Sequence, residues 1–435
     1  MVLARESGGV VLKEVTLPDV LAAAQTAEDL GIPYSLVVDL LLRLLYNEGR
    51  VSLGRAAEVI RIHGRVLDTY LEQMQHEHIV EVASAGTVGR MSYVYSLSDE
   101  GRARAKEAFE RSQYIGPAPV SVERYNLAIT LQTQNGERVR PEEVKKALEP
   151  LVLPENFHRR VGPALNRSNA LFLYGPPGNG KTSIARAIAT LIARERPIWL
   201  PFAVTIGGQI ITIYDPLVHR PVPQQPVRTG ELGIDKRWAL FERPAVMAGG
   251  ELTMDALELR YDEIAKYYEA PLQMKANGGM FLLDDFGRQQ VSPSQLLNRW
   301  IVPLEAGIDW LRLRTGQTME IPFRQLIVFS TNLDPNELVD DAFLRRIQMK
   351  VSVEAPDERM FYQIFTQECQ EMGVPFDRES FVHLVQEWYH KPQRPLQAVH
   401  PRDILRIVIA LCEYEERPLQ LTPELIDEAC RSYFV

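Results

Sequence analysis

Leu171-Phe172-Leu173-Tyr174-Gly175-Pro176-Pro177-Gly178-Asn179-Gly180-Lys181-Thr182 decides how the rest of the chain is read. Its first four residues are a short apolar run, the pattern of a strand buried on both faces. The next eight follow the phosphate-binding loop pattern: a glycine, four free positions, then Gly-Lys-Thr. Beyond them Ile184, Ile188, Leu191 and Ile192 recur at helical spacing until Pro197 ends the pattern. Glycines let the backbone wrap closely around an anion. Successive N–H groups then point inward, and the helix adds the positive end of its dipole. Lys181 is expected at the β- and γ-phosphates and the Thr182 hydroxyl on Mg²⁺, with Ser183 following in the first helical turn. A chance glycine turn is the bland alternative, and the flanks weigh against it.

A second chemical motif lies a hundred residues on. Met280-Phe281-Leu282-Leu283-Asp284-Asp285 is an apolar strand that delivers two acids at its C-terminal edge, where α/β proteins bind ligands. Asp284 is placed to hold Mg²⁺ through water, and Asp285 to orient an attacking water. Ile308-Asp309-Trp310-Leu311-Arg312-Leu313-Arg314 and Thr318-Met319-Glu320-Ile321-Pro322-Phe323 flank Thr315-Gly316-Gln317 as a hairpin. Leu326-Ile327-Val328-Phe329-Ser330-Thr331-Asn332 is another apolar strand, and Asn332 at its end can reach a γ-phosphate or its water. Ala342-Phe343-Leu344-Arg345-Arg346-Ile347 follows. Helices are expected over 357–372, 378–390, 402–415 and 423–433, with Thr422 as an N-cap and Arg402 opening the third.

Phosphate loop, acidic strand, hairpin, Thr-Asn strand, arginine pair and helical tail, in that order, resemble the AAA+ ATPases over about residues 124–435. The hairpin just before the Thr331-Asn332 strand looks like a pre-sensor-1 insertion, which points to the branch of MoxR-, ClpX- and magnesium-chelatase-type machines. The resemblance implies an α/β fold: a P-loop core with a parallel sheet over 124–350 and a helical lid over 351–435. It implies ATP and Mg²⁺ at residues 175–183, Asn332 as sensor 1, Arg345 or Arg346 as arginine finger, and Arg402 as sensor 2. It also implies a homo-oligomer, commonly a hexameric ring, that remodels a bound macromolecule.

Two features depart from that pattern. The family places Glu after the metal-binding aspartate, whereas this chain has Asp285, whose carboxylate reaches about 1.5 Å less far. The chain also carries its small N-terminal unit ahead of the core, unlike the replication-initiator subgroup.

That unit, 1–112, is expected to be a winged helix–turn–helix domain. Helices are read over 18–30, 33–47, 52–60 and 65–77, with a turn at His63-Gly64. Strands at 79–82 and 91–97 flank Gly86 and Gly89, and a charged helix starts after Ser98-Asp99-Glu100-Gly101. Arg61, Arg65 and Arg90 could touch phosphate. Asp68, Glu72 and Glu77 along the candidate recognition helix oppose DNA, so protein docking is favoured and DNA binding is the alternative. Gly116-Pro117-Ala118-Pro119 marks a stiff linker over 113–123.

Further expectations concern the core. Helices are read at 142–148 and at 156–165, the latter over the adenine. A hairpin is read across Gly207-Gly208, a long Pro-rich loop over 215–250, including Pro226, and a helix over 252–268. Tyr261, Tyr267 and Tyr268 then cluster on that helix as core packing.

The 435 residues, 46% apolar and 24% charged with a net charge of −9, describe an ordinary soluble chain not built wholly around nucleic acid. Cys369, Cys412 and Cys430 lack metal spacing and read as reduced thiols of a cytoplasmic protein. Residues 1–6 lack a signal-peptide pattern, and the most apolar window, 36–46, is broken by Asp39 and Arg43, so no membrane insertion is expected. The leading function is an ATP-hydrolysing assembly that remodels a protein partner recruited through the N-terminal domain. The alternatives are an ATP-dependent DNA-binding regulator and a nucleotide-dependent scaffold with little turnover.

Overall fold

The computed structural model describes residues 15–85, 90–134, 138–167, 170–223, 233–338, 344–347 and 349–434. It opens with α1 (Leu17–Leu21), a single turn rather than a helix to residue 30. Ala22 leaves the helix in extended conformation, bridges Ile234, and its carbonyl accepts from Arg124 Nη2 at 2.8 Å. Asp29 then captures the N–H groups of Gln25 and Thr26 and closes a 3₁₀ turn. Local side-chain capture and tertiary contacts outweigh the helical spacing here.

From there the expected order holds. α2 (Tyr34–Glu48) leads to β1 (Arg50–Ser52), α3 (Leu53–Ile60) and α4 (Gly64–His76). β2 (Val80–Ser84), β3 (Val94–Leu97) and α5 (Asp99–Arg111) follow. Ser52 and Ser98 cap α3 and α5 by accepting from the N–H of Arg55 and Gly101. β1 was not anticipated; it joins the hairpin strands in an antiparallel sheet of order β1-β3-β2. The turn expected at Gly86 and Gly89 lies outside the described residues.

The stretch 113–123 is not a free connector. The Ala118 N–H donates to the Ile60 carbonyl, the Tyr114 hydroxyl to the Pro117 carbonyl, and Ala118, Val120 and Val122 are buried. β4 (Val120–Ser121) is an edge strand and α6 (Val122–Gln134) starts directly from it. The prolines give an extended backbone that suits a sheet edge as well as a spacer, and burial of the intervening apolar residues decides between them.

α7 (Pro141–Leu148), α8 (Phe157–Arg167), β5 (Ala170–Tyr174), α9 (Lys181–Glu195) and β6 (Ile198–Pro201) come next. β7 (Ala203–Ile206) and β8 (Gln209–Thr212) form the hairpin read across Gly207-Gly208. Ala203 and Ile210 of that hairpin belong to the same hydrophobic core as α2, α3 and α4, so the N-terminal elements are packed into the rest of the molecule.

Two stretches differ from expectation. Residues 215–250 hold β9 (Trp238–Phe241) and β10 (Ala245–Ala248); Pro226 lies outside the described residues. β10 alternates exposed and buried positions, and this period-2 signal was masked by the surrounding prolines. Residues 252–268 form a 3₁₀ turn, then β11 (Arg260–Asp262) and β12 (Tyr267–Glu269). Tyr261 faces Tyr268 across the two strands with ring centroids 4.9 Å apart, and Asp262 closes the turn by accepting from the N–H groups of Ile264 and Ala265. The tyrosines therefore pack from strands, where aromatic side chains fit well, and Tyr268 is buried in the core as expected.

α10 (Leu272–Lys275), β13 (Met280–Leu283), α11 (Pro293–Ala306), the hairpin β14 (Ile308–Arg312) with β15 (Thr318–Pro322), and β16 (Leu326–Thr331) follow. After α12 (Pro335–Leu338) comes β17 (Met349–Ser352). The central sheet is wholly parallel, in the order β10-β13-β16-β5-β17. Its middle strands are buried at every position of β13 and β16, which matches their unbroken apolar sequence. A second sheet, of order β11-β12-β8-β7-β4, packs Ala203 of β7 and Ile210 of β8 against the N-terminal elements.

The C-terminal region is helical as expected: α13 (Glu358–Met372), α14 (Arg378–Val385) running into a π turn, α15 (His400–Tyr414) and α16 (Pro423–Tyr433). Phe361, Phe365, Leu384, Leu405, Val408 and Ile426 form its own core. The three cysteines are buried free thiols, and burial pushes the pKa values of Cys369 and Cys430 up to about 12.

Candidate functional site

β5 and β16 end side by side, and β13 pairs with the far edge of β16, so three strand ends converge on one rim of the sheet. The loop after β5 is confined from two directions. At Gly175 (φ +137) a Cβ would sit 2.3 Å from the Val353 carbonyl oxygen. At Gly178 (φ +74) it would sit 2.7 Å from Val399 Cγ1 and 2.8 Å from Gln397 Oε1 of the C-terminal region. Only glycine fits both the dihedral and the space. The C-terminal region also holds the loop directly: Val399 N–H donates to the Gly178 carbonyl (2.8 Å) and Ala398 N–H to Asn179 Oδ1 (3.1 Å).

Lys181 opens α9 and folds back, its Nζ donating to the carbonyls of Gly175 and Pro176, both at 2.9 Å. Burial pulls its pKa below the ordinary value, against the opposing pull of Asp285 and Asp284. The Thr182 hydroxyl lies 3.0 and 2.9 Å from the two oxygens of Asp284. Gln289 Nε2 and the backbone of β10 hold Asp284 through its main chain.

Asp285 takes a left-handed backbone (φ +50), which Asp tolerates better than most residues. The turn that follows is stitched to β16: Phe286 N–H donates to the Ser330 carbonyl, and the Thr331 hydroxyl to the Phe286 carbonyl at 2.7 Å. This brings Asn332 Nδ2 within 3.2 Å of Asp285 Oδ1.

These groups surround a cavity of about 410 Å³. Gly178, Asn179, Gly180, Lys181, Thr182, Ser183, Asp284, Asp285, Asn332 and Arg402 all line it. Arg345 and Arg346 do not: Arg346 Nε pairs with Glu305 of α11 at 2.6 Å, and Arg345 is exposed. Ala342 and Phe343, read with them, lie outside the described residues. The helix expected over the adenine does not line the cavity either; residues 150–153, just before α8, do. The apolar Leu151-Val152-Leu153 between two helices was the available signal. Ile364, Gln367 and Glu368 of α13 complete the wall, and nothing local in the sequence marks them, because only the fold brings them there.

The residues present suit a hard divalent cation. Thr182 and Asp284 offer adjacent oxygens, and Mg²⁺ is ordinarily held by one or two protein oxygens, with waters and phosphates completing the shell. Among the described residues no group of three or more His, Cys, Asp or Glu could hold a metal by itself.

The fold is α/β, with a P-loop AAA+ core whose parallel sheet carries the loop and whose helical region closes over it. Residues 171–212 match the model of the "ATPase family associated with various cellular activities (AAA)", and residues 357–432 match a domain of unknown function, DUF8689. An "AAA ATPase forming ring-shaped complexes" from Rothia mucilaginosa is 36% identical over 80 residues, 18% of this chain and 13% of that protein. A "26S proteasome regulatory subunit 6B homolog" from Encephalitozoon cuniculi is 32% identical over 71 residues, 16% of this chain and 18% of that protein. The chain thus spans less than a fifth of either relative. Among solved structures, NtrX from Brucella abortus has a TM-score of 0.37 at 13% identity, covering 75% of this chain and 58% of that one. Its complex with ADP also has a TM-score of 0.37, at 14% identity, over 75% and 65%.

Proposed function

We propose that this chain is an ATP-hydrolysing AAA+ machine, and the observation that carries the reading is the convergence of Thr182, Asp284, Asp285 and Asn332 beside the glycine loop. Loop N–H groups and Lys181 bind the phosphates. Thr182 and Asp284 hold Mg²⁺, which when bound neutralises charge on the phosphate oxygens. Asp285 orients the attacking water and takes its proton, while Asn332 fixes the Asp285 carboxylate. Arg402 faces the phosphates from the C-terminal lid.

Arg345 is the arginine finger and Arg346 its anchor. Arg346 is tied to Glu305, whereas Arg345 is exposed and outside its own subunit's cavity, free to complete a neighbour's site in a ring. The hairpin β14–β15 directly ahead of β16 supports the pre-sensor-1 branch. We read the core as extending to about residue 350, with the lid beyond it.

The N-terminal elements recruit a protein partner. Two of the three arginines considered for DNA are engaged within the chain: Arg90 pairs with Asp68 (2.9 Å) and Glu72 (2.5 Å) of α4, and Arg61 sits over the Phe202 ring. That leaves α4 without the excess of free positive charge that duplex binding needs. Reduced, buried cysteines support a cytoplasmic setting, and among the described residues no helix is long and apolar enough to cross a membrane.

The shorter Asp285, already hydrogen-bonded to Asn332, keeps a second reading in play, a nucleotide-dependent scaffold with little turnover. One experiment addresses both. Parent protein should release phosphate from ATP, whereas Asp285→Asn should bind ATP with Mg²⁺, stop turnover and retain a protein partner in pull-downs. No turnover by the parent would favour the scaffold, and parent-rate turnover by Asp285→Asn would remove Asp285 from the water-activating role.

A further inference from the structure

Glu368 lines the cavity from α13, one helical turn on from Ile364, and the same cavity is lined by the apolar residues 150–153 and by Lys181, Thr182 and Arg402. Gln367 pins the helix against the apolar wall, its Nε2 donating to the Pro150 carbonyl at 2.9 Å. Arg402 acts electrostatically on the Glu368 carboxylate, so the acid lies on the side of α13 that faces the lid arginine. The side chain is half-buried and has no hydrogen-bond partner among the described residues.

A carboxylate is the wrong group for touching phosphate, because like charges repel. It is a suitable group for a sugar. A nucleotide with its phosphates at Lys181 and its base against the apolar residues has its ribose between the two, and Glu368, one turn from Ile364 and near Arg402, is the acidic side chain on α13 that lines the cavity. An ionised carboxylate is an acceptor with two oxygens, matched to the two O–H donors of a vicinal diol. An acidic side chain serves the ribose in the same way in dinucleotide-binding folds.

We infer that Glu368 is a specificity-determining residue that accepts hydrogen bonds from the ribose hydroxyls and selects ribonucleotides over their deoxy counterparts. The assignment rests on the nucleotide-binding reading above. Burial, and then Glu371, raise the Glu368 pKa, while Arg402 and Arg406 oppose them. Hydroxyl donors to the ionised form act in the same direction as the arginines.

The test is calorimetric binding of ATP and 2′,3′-dideoxy-ATP, both with Mg²⁺, to the full chain. The parent should prefer ATP by about ten-fold or more, the range expected for hydrogen bonds to a charged acceptor. Glu368→Ala should bring the ratio close to one. Glu368→Gln, with a neutral acceptor of the same shape, should keep part of the preference, and circular dichroism checks that both variants fold. A parent that does not discriminate, or a Glu368→Ala protein with an unchanged ratio, overturns the assignment while leaving the nucleotide site standing. A parent that binds neither nucleotide overturns the site and the assignment together.

Discussion

Lys181 holds two carbonyls of its own loop, a position from which a phosphate can take it over. No other cation among residues 175–183 can replace it. Lys181→Ala should therefore lose ATP binding altogether in a titration, and near-parent affinity would mean that the loop is not the binding site. The neighbouring question is reach. Asp285→Glu restores a methylene at a left-handed position where Asp is better tolerated than Glu. Faster phosphate release would show that the short side chain limits the parent, and slower release that the backbone there has been shaped to Asp. Lys181, Thr182 and Asp284 were legible in the sequence because each is fixed by its distance from a glycine or from the end of an apolar strand. Glu368 was not legible, since its place depends on how α13 packs over the core.

At the scale of elements the same distinction holds. β5, β13 and β16 are buried on both faces, and an unbroken apolar run suffices to reveal them. β10, β11 and β12 are short and partly exposed, with prolines, charges and turn-forming Asp262 between their apolar residues, so their period-2 signal was too brief to compete with helical spacing. Nor does any local pattern announce the buried ion network between the N-terminal elements and the core. Arg237 is fully buried, pairs with Asp235 at 2.7 Å, and donates to the carbonyls of Leu30 and Pro119; Arg124 adds a second pair to Asp235 at 3.1 Å. Removing one partner leaves buried charge and carbonyls unsatisfied. Arg237→Ala should lower stability by ~3–5 kcal/mol in denaturant unfolding. A loss below about 1 kcal/mol would mean that the region relaxes and that this network does not hold the elements together.

Over the whole molecule, the C-terminal region touches the phosphate loop through Gly178 and Asn179 and presents Arg402 to the same cavity. The core reaches the N-terminal elements through β4, β7 and β8. On the proposed reading, a change at the loop would reach the C-terminal region through the hydrogen bonds at Gly178 and Asn179, while the N-terminal elements share apolar packing with β7 and β8. Among the described residues Arg345 and Arg346 do not line the cavity, and Arg346 is held by Glu305, so the proposed arginine finger is one that a neighbouring subunit would supply. An arginine supplied by a neighbour contributes about 10³–10⁵ in rate in related phosphoryl-transfer enzymes.

The most direct measurement of that account is steady-state ATP turnover by a mixture of Lys181→Ala and Arg345→Ala proteins. Each alone should be nearly inactive, the first for want of bound ATP and the second for want of a finger. Mixing should restore a fraction of parent activity, as Lys181→Ala subunits lend Arg345 to neighbours that still bind ATP, and parent activity should rise with protein concentration before levelling off. No recovery on mixing, together with parent turnover independent of concentration, would contradict a site completed between subunits.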